Sequence, residues 1–299
     1  MRRALPFVLA LAADIGLGEL PARGHPVVLT GWVIGRLAGR PTDRAGRDLV
    51  RGTLAVALPA VAAWSIGSIV ERRRGLAGLA ATAWLLKSSF ALRGLLDAGD
   101  RVAQALEQDD LPAAHRALPW LVSRPVTGLD RAHVCSAAIE SLAENLADSY
   151  VAPLAAYAVG GLPAALAYRA VNTADAMLGY RGGLEHLGKA AARLDDLLNL
   201  VPARLTAAAL ALAAPVVGLS GRRAVRTALR DAQRTASPNA GWPMATAAGA
   251  LGIWLEKPAT YRLGDGPAPD VVHIAAARRL VSAAAAIATA AYIAWEVGR

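Results

Sequence analysis

Residues Glu140 to Asp148 read Glu-Ser-Leu-Ala-Glu-Asn-Leu-Ala-Asp, in a chain otherwise dominated by alanine, leucine and valine. At roughly 100° per residue, Glu140, Glu144 and Asp148 fall within about 80° of one another on a helix, with the amide of Asn145 beside them. Like charges at i, i+4 and i+8 weaken a helix. The stripe therefore calls for a compensating cation: Mg²⁺, a protein Arg or Lys, or a cationic substrate. A solvated face is the alternative, and two further polar clusters before Pro202 weigh against it.

In the first, Asn172 and Asp175 are i, i+3 neighbours, Arg169 stands a turn earlier, and Tyr180 and Arg181 follow the stop at Gly179. In the second, Ala190 to Asn199 predicts a divided helix. Ala190, Leu194, Leu197 and Leu198 form its apolar face, and Arg193, Asp195, Asp196 and Asn199 the opposite arc. Ser237 to Pro243 (Ser-Pro-Asn-Ala-Gly-Trp-Pro) is a non-helical loop where Ser237, Asn239, Trp242 and backbone donors can meet a phosphate or amide; a structural turn is the competing reading. Leu255 to Gly266 is a second such loop. His25 precedes Pro26 and so sits in an extended or turn conformation, as a ligand, a base or a capped turn residue.

The elements that must position these groups are apolar. The chain has 299 residues, 55% of them hydrophobic, and its mean hydropathy is +0.36. This composition indicates a membrane protein. The expected spans are Gly52–Val70, Gly75–Phe90, Val201–Leu219 and Leu280–Val297. The run from Ala4 to Leu17 reads as a retained N-terminal helix, with no small-residue cleavage site before the polar turn. Lys87 within the second span snorkels or faces a polar cavity. Residues Leu95 to Leu129 predict amphipathic helices outside the membrane. Pro153, Gly160, Gly161 and Pro163 break the run from Val151 to Tyr168, which predicts a re-entrant hairpin that keeps the Glu140 and Asn172 clusters on one membrane face. The fold class expected is an all-α, polytopic helical bundle with amphipathic and re-entrant helices. It forms one membrane-embedded catalytic domain over residues 1–299, with about 4–6 spans and extramembrane amphipathic helices near 95–150.

Several classes are excluded. The net charge of +9 comes from arginines that flank the apolar runs, such as Arg72 to Arg74, as membrane insertion demands. No basic stretch is interleaved with stacking aromatics, which argues against nucleic acid. Cys135 is the only cysteine, so there is no internal disulfide and no thiolate cluster. Gly183 to Ala190 matches Gly-x4-Gly-Lys spacing, but Ala190 replaces the Ser or Thr that holds Mg²⁺, and no strand precedes it.

Five motifs together resemble the adenosylcobinamide-phosphate synthase family. They are Ala137 to Asp148, Ala170 to Asp175, Gly179-Tyr-Arg181, Ala190 to Asn199 and Ser237 to Pro243, within a resemblance running from His25-Pro26-Val27 to about Gly266. Glu19, Ser149 and Gly182-Gly183 depart from the family pattern in the turns and leave the carboxylate clusters intact. The resemblance implies a multi-pass enzyme of the bacterial plasma membrane. It would join the amine of (R)-1-aminopropan-2-ol phosphate, or a related amino-alcohol phosphate, to the free propionate of adenosylcobyric acid, driven by ATP and Mg²⁺, in cobalamin biosynthesis. It further implies contact with the lipid bilayer and association with other late cobalamin-pathway membrane enzymes. Glu140, Glu144, Asp148 and Asp175 would be catalytic. They and Asp195 and Asp196 would offer oxygen ligands to Mg²⁺. His25, Asn145, Asn172, Tyr180, Arg181, Arg193, Ser237, Asn239 and Trp242 would bind substrate or phosphate. An acid and an amine do not condense in water, so the acid must be activated, and a carboxylate can take the ammonium proton. Two other classes compete. The Asn172, Asp175, Asp195 and Asp196 set faintly resembles Mg²⁺-dependent membrane prenyl- or phosphoalcohol-transferases, though their full aspartate spacing is absent. A transporter would also place polar residues beside broken helices, but no internal repeat supports one.

Overall fold

A computed structural model describes residues 3–19, 23–123, 126–180 and 182–298. In chain order the helices are α1 (Ala4–Leu17), α2 (Pro26–Ala38), α3 (Ala45–Glu71), α4 (Gly75–Lys87), α5 (Leu92–Glu107), α6 (Leu111–Ala117), α7 (Arg131–Leu146), α8 (Ala152–Leu178), α9 (Glu185–Leu198), α10 (Leu200–Val216), α11 (Gly221–Asp231), α12 (Gly241–Leu251) and α13 (Val271–Val297). Strands β1 (Leu255–Lys257) and β2 (Tyr261–Leu263) form an antiparallel hairpin where a loop was expected. Ala45–Glu71, Gly75–Glu107, Arg131–Leu178 and Val271–Val297 are long and apolar enough to cross a membrane, and the bent pair α9 and α10 makes a fifth if it is one span. The fold class is therefore an all-α membrane helical bundle.

The chain forms two compact units. Unit 1 comprises Met1–Ala91, Ala152–Asn199 and Tyr292–Arg299; unit 2 comprises Leu92–Val151 and Leu200–Ala291. In unit 1, α3 packs antiparallel to the second half of α8. Gly67 meets Pro163 at one end, and Ala55 and Val56 share a buried cluster with Val171, Ala174 and Leu178 at the other. Glycines let the backbones touch. A Cβ at Gly52 would lie 1.8 Å from the Leu187 carbonyl oxygen, and one at Gly188 would lie 1.8 Å from that of Leu178. This contact seats the start of α9 against the end of α8.

The expected break in α8 is present at Gly161, whose φ of 72° suits glycine. Glu71 satisfies the broken backbone: it accepts from Leu162 N at 3.4 Å and pairs with Arg3 at 3.2 Å. The expectation of two short re-entrant arms is corrected on one point. The second arm, Leu162 to Leu178, runs some 25 Å along α3 by helical rise, the full length of a packed helix. Helix α4 itself ends at Lys87, three residues before the expected Phe90, within the apolar stretch Gly75–Glu107. Lys87 does not snorkel. Its Nζ lies 2.8 Å from Asp14 Oδ1, and both side chains are 0% exposed.

In unit 2, α5 is amphipathic as predicted. Leu95, Val102 and Leu106 are buried while Arg101, Gln104 and Glu107 face outward. The α11 terminus is tied to the chain after β2 through Asp231, which is fully buried. Its two oxygens accept from Arg230 Nε and Nη2 at 2.9 and 2.7 Å, and Gly264 N donates to Oδ2 at 2.8 Å. Burial pushes the Asp231 carboxyl up, but the Arg230 fork and the Gly264 amide outweigh it, and its pKa is lowered. The unfolded carboxylate titrates at about 3.9. A lowered folded value means this stabilisation is fully present above that pH and is lost as pH falls through the lower folded value. Thermal denaturation of the detergent-solubilised protein is expected to show a melting temperature that drops below about pH 4, and Asp231→Asn should remove part of that slope.

Candidate functional site

The polar residues that the sequence singles out fall into two groups, one in each unit. In unit 1 the C-terminal half of α8 faces α9. Asp195 stands at the centre, with both oxygens held: Asn172 Nδ2 donates to Oδ1 at 3.3 Å, and Asn199 Nδ2 donates to Oδ2 at 2.9 Å. Asn199 is oriented in turn by Tyr168, whose hydroxyl donates to its Oδ1 at 3.0 Å. Arg169 Nη1 donates to Asn172 Oδ1 at 3.1 Å. Each amide thus spends its carbonyl on a donor and its NH₂ on Asp195, so the aspartate is fixed from two sides.

Asp175 lies within reach of the negative charges of Asp195 and Asp196. It packs so closely on Gly179 that a Cβ there would sit 2.1 Å from its Oδ1. A half-buried carboxylate beside two others is a place for a cation. Leu197 and Leu198 point outward and Asn199 is buried, because α9 packs through Leu187, Gly188 and Ala191, and the amide is drawn in by Tyr168 and Asp195. Arg193 and Tyr180 are exposed. Arg181 lies outside the described residues. His25 is buried and paired: Nε2 lies 2.8 Å from Glu19 Oε1, and Nδ1 accepts from Val27 N at 3.1 Å, capping α2.

In unit 2, Glu140 does not sit on an open carboxylate stripe. It is 4% exposed. Ser136 Oγ donates to Oε1 at 2.7 Å and Tyr261 Oη donates to Oε2 at 2.8 Å. Ser136 Oγ also accepts from Glu256 N at 2.7 Å, so Glu140 anchors the β1–β2 hairpin on α7. Each of its oxygens accepts a hydrogen bond, so Glu140 serves as a structural acceptor between α7 and the hairpin. Asp148 lies in a π turn over Ala147–Val151. Glu144, Asn145 and Asp148 are half-buried, and Asn145 Nδ2 donates to Ser141 O and Oγ at 3.0 and 2.9 Å.

The Ser237–Pro243 loop is a turn with its own internal bonds: Ser237 Oγ accepts from Asn239 N and Ala240 N. Arg204, which the sequence did not flag, donates to Asn239 Oδ1 at 2.7 Å and stacks 5.0 Å over the Trp242 ring. Only its spacing, one turn after Leu200 at the start of a helix, hinted at it.

Glu140→Gln is expected to destabilise the protein by about 1–3 kcal/mol, since the new NH₂ faces a hydroxyl that needs an acceptor. Tyr261→Phe should cost less, and the double variant less than the sum, read as a double-mutant cycle from denaturation in detergent.

The six carboxylates proposed for Mg²⁺ are thus divided: Glu140, Glu144 and Asp148 belong to unit 2, and Asp175, Asp195 and Asp196 to unit 1. Among the described residues no three His, Cys, Asp or Glu side chains converge to form a metal site by themselves.

Comparison with known proteins gives a consistent result. The family model described as CobD/Cbib protein matches residues 7–291. A "Cobalamin biosynthesis protein CobD" of Dehalococcoides mccartyi is 40% identical over 275 residues, covering 90% of this chain and 89% of that protein. The protein of that name from Geobacter metallireducens is 43% identical over 82% of this chain and 79% of its own length. The one from Mycobacterium tuberculosis is 41% identical over 95% and 94%. No solved structure matches.

Proposed function

Because the chain belongs to the CobD/Cbib protein family and therefore has a role in cobalamin biosynthesis, we propose that it is an ATP-dependent ligase. It forms the amide between the free propionate of adenosylcobyric acid and the amine of (R)-1-aminopropan-2-ol phosphate or a related amino-alcohol phosphate. It works as a multi-pass protein of the plasma membrane, beside other late enzymes of the pathway. The observation that carries the reading is the meeting of α8 and α9. Residues from two separate motifs, Asn172 and Asp175 with Asp195, Asp196 and Asn199, gather around one acidic centre.

The donor set fits a Mg²⁺–nucleotide. Mg²⁺ takes one or two carboxylates and completes its shell with water and phosphate oxygens, so it needs no closed protein cage. Asp175 and Asp196 would hold it, with Asp195 oriented beside them by its two amides. MgATP supplies the phosphoryl group that activates the corrinoid acid. The protein's own part is positioning and charge. Asn172 and Asn199 keep Asp195 rigid, so the local negative potential is preorganised for a cation. A carboxylate of this centre that the metal leaves uncoordinated would steady an incoming ammonium and take its proton as the amine attacks. Arg193, exposed on α9, and Arg181 would clamp phosphate oxygens, as the motif resemblance implies.

Labelled ATP tests this reading. A ligase makes ADP in step with amide product. ATP left intact while a pyrophosphate ester is consumed supports a transferase, and substrate movement across a vesicle without either reaction supports a transporter.

A further inference from the structure

Five arginines stand between residues 222 and 234, in α11 and the turn that follows it. Three of them are consumed within unit 2. Arg223 Nε and Nη2 donate to Gly249 O and Ala250 O at 2.7 and 3.4 Å, at the C-terminal end of α12. Arg230 holds Asp231 and Asp265, and Arg234 pairs with Asp231 at 3.2 Å. Arg222 and Arg226 are exposed and have no hydrogen-bond or ion-pair partner among the described residues.

These two cations share a face with two apolar side chains. At roughly 100° per residue, Arg222, Val225, Arg226 and Leu229 fall within about 100° of one another. Val225 is 47% and Leu229 71% exposed, while Ala224, Thr227, Ala228 and Asp231 on the opposite face are buried. Val225 and Leu229 form one edge of the arc, and Arg222 and Arg226 the other. Arg222 and Arg226 repel each other at i, i+4, and Arg222 lies in the first turn, where the helix dipole disfavours a cation. Bulk water suits the guanidinium edge and leaves Leu229 exposed. Hydrocarbon suits Leu229 and leaves two charges without counter-ions. The boundary between the two satisfies both edges. The neighbouring surface is apolar. α10 leads into α11 through residues 217–220 and turns Val201, Leu205, Leu212 and Val216 outward, on one stripe about 60° wide. The helices touch near the end of that stripe, where a Cβ at Gly221 would lie 2.6 Å from Ala211 O. Both pack on α12, which is buried from Pro243 to Leu251.

We propose that the outer face of α11 docks on the anionic headgroups of the surrounding bilayer. Val225 and Leu229 enter the acyl boundary, and Arg222 and Arg226 reach out along it to lipid phosphates. The partner follows from charge complementarity with the unpaired cationic edge and from continuity with the outward apolar stripe of α10. Arg223, fixed on the last carbonyls of α12, ties the docked helix to the core of unit 2. The inference rests on the membrane fold and is independent of the ligase reading.

The test is native mass spectrometry of the full-length protein, released from detergent with phosphatidylglycerol or phosphatidylcholine added. Wild type should bind phosphatidylglycerol more tightly, and the preference should shrink as salt rises. Arg222→Gln and Arg226→Gln should each weaken phosphatidylglycerol binding by about fivefold, and the losses should multiply in the double variant. Phosphatidylcholine binding and the melting temperature in detergent should not move, because neither side chain is bonded within unit 2. An equal preference in wild type and the double variant would overturn the proposal. Depth is read separately. Cys135 is buried, so Leu229→Cys offers one accessible thiol for a spin label. In nanodiscs of phosphatidylglycerol and phosphatidylcholine, the label should be relaxed by oxygen and shielded from an aqueous nickel chelate. Full access to the chelate would overturn the proposal, since the helix would then face water. Shielding that persists in lipid-free detergent would do the same, by identifying the surface as a protein contact.

Discussion

Asp175→Asn is expected to abolish amide formation, lowering kcat/KM by about a thousandfold or more, while the protein still inserts, purifies and melts as wild type. The size follows from the loss of one preorganised charge at a reacting centre, which typically costs a factor of 10²–10³ before any proton-transfer role is counted. Stability should be little affected, because Asp175 is not an anchor. Its charge neighbours are the acidic Asp195 and Asp196, so neutralising it relieves repulsion. A structural aspartate would show the opposite pattern, with lost stability and activity falling only in proportion. Asn is close in shape to Asp, so the contact with Gly179 survives. The measurement is single-turnover product formation alongside a melting curve. Full activity in Asp175→Asn would remove this residue from the site.

Lys87→Met is expected to be among the most destabilising single substitutions in unit 1. Asp14 and Lys87 are 2.8 Å apart with no exposure to solvent. Removing Lys87 takes away the ion-pair partner of the buried Asp14 carboxylate, a change that typically costs about 3–5 kcal/mol. The double variant Asp14→Leu/Lys87→Met removes both charges and should regain most of that loss, since well-packed apolar replacements of a buried pair are often neutral. Yield and melting temperature in detergent read this directly. If the two single variants and the double variant are equally impaired, the pair serves a purpose other than mutual neutralisation.

The sequence was most informative where local pattern decides the outcome. α3 and α13 contain the apolar runs expected for them, and the break at Gly161 follows from glycine beside proline. α5 has the two-faced spacing of a surface helix. Contacts between distant segments were not legible. Glu140 looks like part of an acidic stripe until Tyr261, 121 residues away, is seen to hold it. Lys87 within an apolar run looks like a snorkelling cation until Asp14, 73 residues away, closes on it. Asn199 belongs by periodicity to the polar arc of its helix, and its bond to Tyr168, 31 residues away, shows only in the fold. The acidic centre itself was legible as a set of residues, since Asn172, Asp175, Asp195 and Asp196 all stood out. Which of the α11 arginines stay unpaired was not, because satisfaction of a hydrogen bond is a property of three-dimensional neighbours.

The most direct measurement is mass spectrometry of the corrinoid after incubation with purified protein, adenosylcobyric acid, aminopropanol phosphate, ATP and Mg²⁺, with each component omitted in turn. The ligase account predicts a corrinoid heavier by the condensed amino-alcohol phosphate, formed only in the complete mixture. An unchanged corrinoid in the complete mixture, with folded protein and across a panel of amino-alcohol phosphates, would contradict it.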